Sequence, residues 1–141
     1  MCLYVKKENF EVRTAEQDLY FYKVLTPSRD GKTFYTPIYH KPVKLGETYE
    51  EEGDDFNITR AWWLSEVYDS MFDHKIDEGC FHLYETIDGA KEFAFWFCEG
   101  LRIVRAIIPK GTKYAVGFTK ATVNGGLHPS IVTKKVIYKP L

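Results

Sequence analysis

Cys80, His82 and Tyr84 alternate with Phe81 and Leu83, which places a thiol, an imidazole and a phenol on one face of a predicted strand. An imidazole between two polarisable groups can bind a ligand or donate a proton; the other role open to it is a buried histidine hydrogen-bonded to backbone. Tyr22 and Lys23 present a phenol and an ammonium on opposite faces of an earlier strand, so at most one of them lines a given pocket. Tyr35 and Tyr114 lie on further predicted strands, and Lys110 and Lys113 flank a Gly111 turn with positive charge. Tyr22, Tyr35, His82, Tyr84, Lys110, Lys113 and Tyr114 are therefore the candidate ligand-binding set, suited to stacking and to charge-assisted hydrogen bonds with an anionic, nucleotide-like molecule.

Other chemistries lack their residues. His40, His74, His82 and His128 show neither HxH nor HExxH spacing, and Glu50-Glu51-Glu52 followed by Asp54-Asp55 lacks the alternation of a calcium loop, so no metal is assigned. There is no GxSxG elbow, no GxGxxG and no Walker loop, and no cofactor is implied. Glu99 is the last acidic residue, so the remainder of the chain supplies no carboxylate catalyst.

The elements that position these groups centre on residues 79–111. The Cys80–Glu85 strand leads through Thr86-Ile87-Asp88 into a helix with Ala90, Phe93, Ala94 and Phe97 at i, i+3, i+4 and i+7, ended by Gly100. Leu101–Ile108 follows as the most hydrophobic strand, and Pro109-Lys110-Gly111 turns the chain out. Before this unit, Leu3–Lys6 reads as a short strand, residues 11–18 as loop and Leu19–Leu25 as a strand. Thr33–Tyr39 reads as an edge strand because Pro37 cannot donate to a ladder. Residues 42–55 read as a solvated loop. A core-packing helix, capped by Asn57 or Thr59, is predicted from Trp63, Leu64, Val67, Tyr68, Met71 and Phe72, with Trp62 at its boundary. Lys113–Phe118 and Ile131–Tyr138 are strands, the latter exposing Lys134 and Lys135, with a turn at Asn124-Gly125-Gly126 between them. The sum is a single α+β domain over residues 1–141, with a twisted, mostly antiparallel sheet of about six strands and two packed helices.

The chain has 141 residues, enough to bury a sizeable core, with 45% hydrophobic and 16% aromatic residues. The aromatics serve either as core or as the walls of a ligand pocket. A net charge of −1 argues against a dominant nucleic-acid role, yet residues 1–46, 47–99 and 100–141 carry +3, −12 and +8. Either the acidic middle and basic end neutralise each other in the fold, or the end forms a basic patch. Cys2, Cys80 and Cys98 form no CxxC pair, which suits a reducing compartment with structural thiols. The start of the chain lacks an apolar signal core and no run reaches the length of a membrane span, so a cytoplasmic location is expected.

Met1–Tyr4, Tyr22–Leu25, Tyr35–Tyr39, Gly79–His82 and Ile108–Tyr114 together resemble a family of small uncharacterised proteins frequent in Bacteroides-type bacteria and their phages. That resemblance spans most of the chain and implies no established activity. Gly79–Tyr84 preceding Ala90, with Lys23 on an early strand, also resembles the ADP-ribosyltransferase-like fold over roughly a third of the chain. The resemblance implies a nucleotide or protein partner in a cleft without catalysis, because those transferases use a late glutamate that this chain lacks. The leading expectation is thus an intracellular binding or interaction domain without turnover, its partner a nucleotide-like small molecule or a host protein. The alternatives are a diverged ADP-ribosyl or nucleotide transferase using His82 with a carboxylate of the acidic middle, and a protein-binding inhibitor acting through the Thr33–Tyr39 edge.

Overall fold

Alternation along residues 19–27 and 102–108 builds the longest ladder, seen here in a computed structural model that describes residues 2–37, 40–97, 100–120 and 126–141. In chain order the strands are β1 (Leu3–Val5), β2 (Arg13–Thr14), β3 (Leu19–Pro27), β4 (Thr33–Tyr35), β5 (Pro42–Lys44), β6 (Thr48–Glu50) and β7 (Thr59–Arg60). They continue with β8 (His74–Ile76), β9 (Phe81–Tyr84), β10 (Arg102–Ile108), β11 (Lys113–Lys120), β12 (Leu127–Thr133) and β13 (Lys135–Lys139). The helices are α1 (Trp62–Val67) and α2 (Ile87–Phe97). All pairings are antiparallel, in the order β6-β13-β10-β3-β9-β12-β11-β1-β8-β7, with β2 on β11 and a β4–β5 arm on the end of β3.

Because side chains alternate across a strand, the two faces of the central strands bury different partners. On one face Leu25, Leu83, Val104, Ala106, Ile108, Ile131, Val136 and Tyr138 share a core with Phe34 and Val43 of the arm. On the other, Val24, Tyr84 and Ile103 pack under Ala90, Phe93 and Ala94 of α2. Thr86 Oγ1 accepts from the Gly89 amide at 3.2 Å, so a threonine caps this helix at its third amide. Asp88 sits in its first turn, and Gly100, with φ of 83°, lies beyond its end.

The sheet has thirteen strands among the described residues rather than six. The additional ones are two or three residues long and lie in polar runs: β5 and β6 occupy the stretch read as a solvated loop, and β2 the other. Ladder bonds to a long neighbour hold such strands without any apolar alternation of their own. Ile131–Tyr138 is two strands: at the break the Thr133 hydroxyl lies 3.2 Å from both the Lys113 and the Lys135 carbonyl, its one proton shared between them, and the Lys134 amide donates to the Lys113 carbonyl. Lys134 is buried, not exposed, and its Nζ donates to the Gly79 carbonyl at 2.7 Å.

The predicted edge strand is shorter and lies between two others: Tyr35 faces Thr26 of β3 on one side and Pro42 of β5 on the other. Ile38 and Tyr39 of that expectation, Cys98, and Asn124-Gly125 lie outside the described residues. The helix expected to run through Phe72 stops at Val67 and has no side-chain cap, its N-cap being Ala61 rather than Asn57 or Thr59. Asp69 and Ser70 then adopt left-handed backbone, with φ of 51° and 65°. Leu64 and Phe72 are buried, whereas Trp62 is 67% exposed and Val67 and Met71 are exposed as well. No helix among the described residues is long and apolar enough to cross a membrane.

Candidate functional site

β3 and β9 share only one registered pair, Tyr22 opposite Tyr84. Past it β3 turns to β4, pairing Thr26 with Tyr35. Beside this end of the ladder lies a cavity of about 660 Å³, lined by residues of β3, β9, the β4–β5 arm and β6, with Phe93 of α2 and Tyr138 of β13.

Lys23 enters from β3, on the face that also carries Phe21 and Leu25. Its Nζ donates to the His82 carbonyl at 2.9 Å. Desolvation lowers its pKa to about 8.

His82 is 7% exposed. Its Nε2 lies 3.1 Å from the Asp77 carbonyl, and a carbonyl only accepts, so Nε2 carries the proton and Nδ1 a bare lone pair. That Nδ1 is buried without a partner. Burial, then the Lys23 charge, lowers the His82 pKa to about 3, which keeps the ring neutral. Cys80 Sγ lies 3.7 Å from His82 Nε2, and burial pushes the thiol up to about 12, so it is no thiolate. Asp77 is held below the usual carboxylate range: burial opposes its charge, but the Cys2 thiol at 2.6 Å and the Lys75 ammonium at 2.8 Å outweigh that.

Tyr138, from the last strand, is 1% exposed, and its hydroxyl also has no partner. Burial pushes its phenol far up, as it does that of Tyr84. The Tyr49 ring stands 6.2 Å from Tyr138 and the Phe93 ring 5.9 Å from Tyr84, so aromatic pairs wall the cavity.

Of the seven residues singled out in the sequence, His82 and Tyr84 line this cavity. Tyr22 packs under α2, and Lys23 takes the place in the cavity that only one of the two can hold. Tyr35 lies on β4, outside the lining, and Tyr114 packs against the large core. Lys110 and Lys113 line a separate groove of about 670 Å³. There they stand with Lys134 and Lys135 opposite Glu50, Glu51, Glu52 and Asp54, so acidic middle and basic end meet in balance. Glu50 and Glu51 border both spaces.

The sequence reading missed Tyr138, which no local signal separates from any other core tyrosine. Lys23 did have a signal, as an ammonium on the apolar face of a long strand. Among the described residues no group of three or more His, Cys, Asp or Glu side chains is placed to hold a metal ion. No family model, no curated protein and no solved structure matches this chain.

Proposed function

We propose that the chain is a binding domain for a small molecule with a flat ring body, of nucleoside size, held without turnover in the cavity beside Lys23 and His82. One observation carries the reading. The only two buried side-chain polar atoms without a partner among the described residues, His82 Nδ1 and the Tyr138 hydroxyl, belong to residues lining the same cavity. Folded proteins rarely leave such groups unpaired, and a ligand whose binding turns these side chains towards the cavity gives them partners. The volume falls within the range of about 300–1,000 Å³ typical of ligand sites, and the aromatic walls suit a ring. Glu50, Glu51, Asp77 and Glu78 outnumber Lys23 and Lys41 in the lining, which favours a nucleoside or free base over a phosphate-bearing nucleotide.

The test is a melting series of the purified chain and of Tyr138→Phe with nucleobases, nucleosides and nucleotides. A ring compound at 100 times its dissociation constant adds about 2.7 kcal/mol of stability. Tyr138→Phe raises the ligand-free Tm, since an unpaired buried hydroxyl costs about 1–3 kcal/mol, and shrinks the ligand-induced shift. If no ring compound at millimolar concentration moves the wild-type Tm, the reading fails.

A further inference from the structure

Lys23 is out of keeping with its strand. Leu19, Phe21 and Leu25 share its face of β3 and pack in or against the large core. A lysine at such a position ordinarily finds a carboxylate or extends to water. This one donates a single hydrogen bond, to the His82 carbonyl, and has no ion pair among the described residues. A main-chain carbonyl fixes an amine in place without holding it protonated as a carboxylate does. The amine is thereby fixed in the wall of a cavity large enough for a small organic molecule.

We propose that the Lys23 amine captures aldehydes with a flat ring body as a reversible imine, an inference that rests on the reading of this cavity as a small-molecule site. The neutral amine attacks the carbonyl carbon; the C–N bond forms as the C=O π pair moves to oxygen. A proton passes from nitrogen to that oxygen, giving a carbinolamine. A proton from solvent then reaches that hydroxyl, the nitrogen lone pair forms the C=N bond as the C–O bond breaks and water leaves, and the N–H proton of the iminium returns to solvent. Nothing is oxidised or reduced, and hydrolysis restores both partners.

Three features serve this step. Desolvation brings the amine to a pKa of about 8, so about a tenth of it is unprotonated at pH 7, against less than about a thousandth of an ordinary lysine. The anchor on His82 fixes the nitrogen relative to the cavity wall, which lowers the entropy lost on attack. The aromatic walls formed by Tyr84, Phe93, Tyr49 and Tyr138 hold a ring and limit the water that would hydrolyse the imine.

The experiment is reductive trapping of the full chain with benzaldehyde and borohydride from pH 6.5 to 9, with adducts mapped to peptides by mass spectrometry. Benzaldehyde binding is followed in parallel, without reductant, by thermal shift. Lys23 is expected to be labelled faster than any other lysine, by about tenfold or more, with a half-rise near pH 8. Lys23→Met, checked for native near-UV circular dichroism, loses that peptide adduct and keeps only slow labelling elsewhere. If benzaldehyde stabilises the chain yet labelling is even across the lysines or absent, imine capture is overturned and the binding site stands. If it neither stabilises the chain nor labels Lys23 while a nucleobase or nucleoside still raises the Tm, imine capture is overturned and the binding site stands; if no ring compound raises the Tm, both readings fall.

Discussion

The Lys23 Nζ and the His82 carbonyl oxygen, 2.9 Å apart, join β3 to β9 just where their ladder ends. The bond places an ammonium in a poorly solvated wall, and stability records the cost. Lys23 titrates at about 8 in the fold and at about 10.5 when unfolded, so between those values the unfolded chain binds more protons and stability rises with pH. At about 1.4 kcal/mol per pH unit the rise is at most about 3 kcal/mol. Cys80 acts the other way: its folded pKa of about 12 exceeds the unfolded 9, so its contribution is lost as pH climbs above 9. Cys2, raised by burial and by Asp77, loses stability in the same direction as Cys80. Wild type therefore gains stability from pH 8 to 9 and stops gaining above it, whereas Lys23→Met is flat to pH 9 and then declines. Urea midpoints at half-unit steps from pH 7.5 to 10 check this, and parallel curves for the two proteins would sink it.

His82 governs the acid side. Its folded pKa of about 3 lies below the unfolded 6.5, so its contribution is complete above 6.5 and is lost as pH falls towards 3. The Asp77 and Asp73 carboxylates, both held low, lose stability in the same direction, but only below the ordinary carboxylate range. The interval from pH 6.5 to 5 thus separates the His82 contribution from that of these carboxylates, and the comparison with His82→Gln identifies it. Wild type is expected to lose about 2 kcal/mol across it, and His82→Gln to be nearly flat whatever its absolute stability. Chemical denaturation at pH 6.5, 5.75 and 5 measures the slope; an unchanged slope in the variant would assign the loss elsewhere.

What could be read from the chain follows from how local each signal is. Leu19–Leu25, Cys80–Glu85, Leu101–Ile108 and Lys113–Phe118 became β3, β9, β10 and β11 because alternation over several residues states both the strand and its buried face. The helix after Thr86 was equally local, with cap, stripe and stop within about four turns. By contrast Thr48–Glu50 is a strand only because Val136 and its neighbours lie beside it, more than eighty residues away in sequence. The stretch from Trp62 to Phe72 carries a helical stripe that the tertiary structure overrides at Asp69 and Ser70.

The site divides the same way. His82 and Tyr84, two apart on one strand, were legible as a pair, whereas the face shared by Phe21, Lys23 and Leu25 carried a signal for a buried ammonium that was not drawn from the sequence. Tyr138 and the β4–β5 arm reach the cavity only through the order of strands across the sheet. Lys110 and Lys113 lie in the other groove because β6 brings Glu50 opposite Lys135, and the acidic run comes with it.

Gly117 tests whether β1 is packed as tightly on β11 as the geometry requires. A Cβ at this position would stand 2.7 Å from the Tyr4 carbonyl oxygen, 2.8 Å from Leu3 Cγ and 3.0 Å from Val5 Cγ1. The Tyr4 oxygen belongs to a strand held between β11 and β8, so it cannot withdraw without breaking ladder bonds. Gly117→Ala is therefore expected to cost about 1–3 kcal/mol, as overpacking does, with a Tm fall of several degrees. Gly89→Ala is the control. It meets Tyr84 Cδ1 at 3.1 Å and His128 Cβ at 3.3 Å, so its neighbours need shift only by a few tenths of an ångström and no backbone atom is struck. It also gains about 1 kcal/mol of helix propensity, so its net effect should be small. Equal Tm values for Gly117→Ala and wild type would mean that β1 yields to a methyl group, and the first strand would then be an adjustable edge rather than part of the core formed by Leu3, Val5 and Ile76.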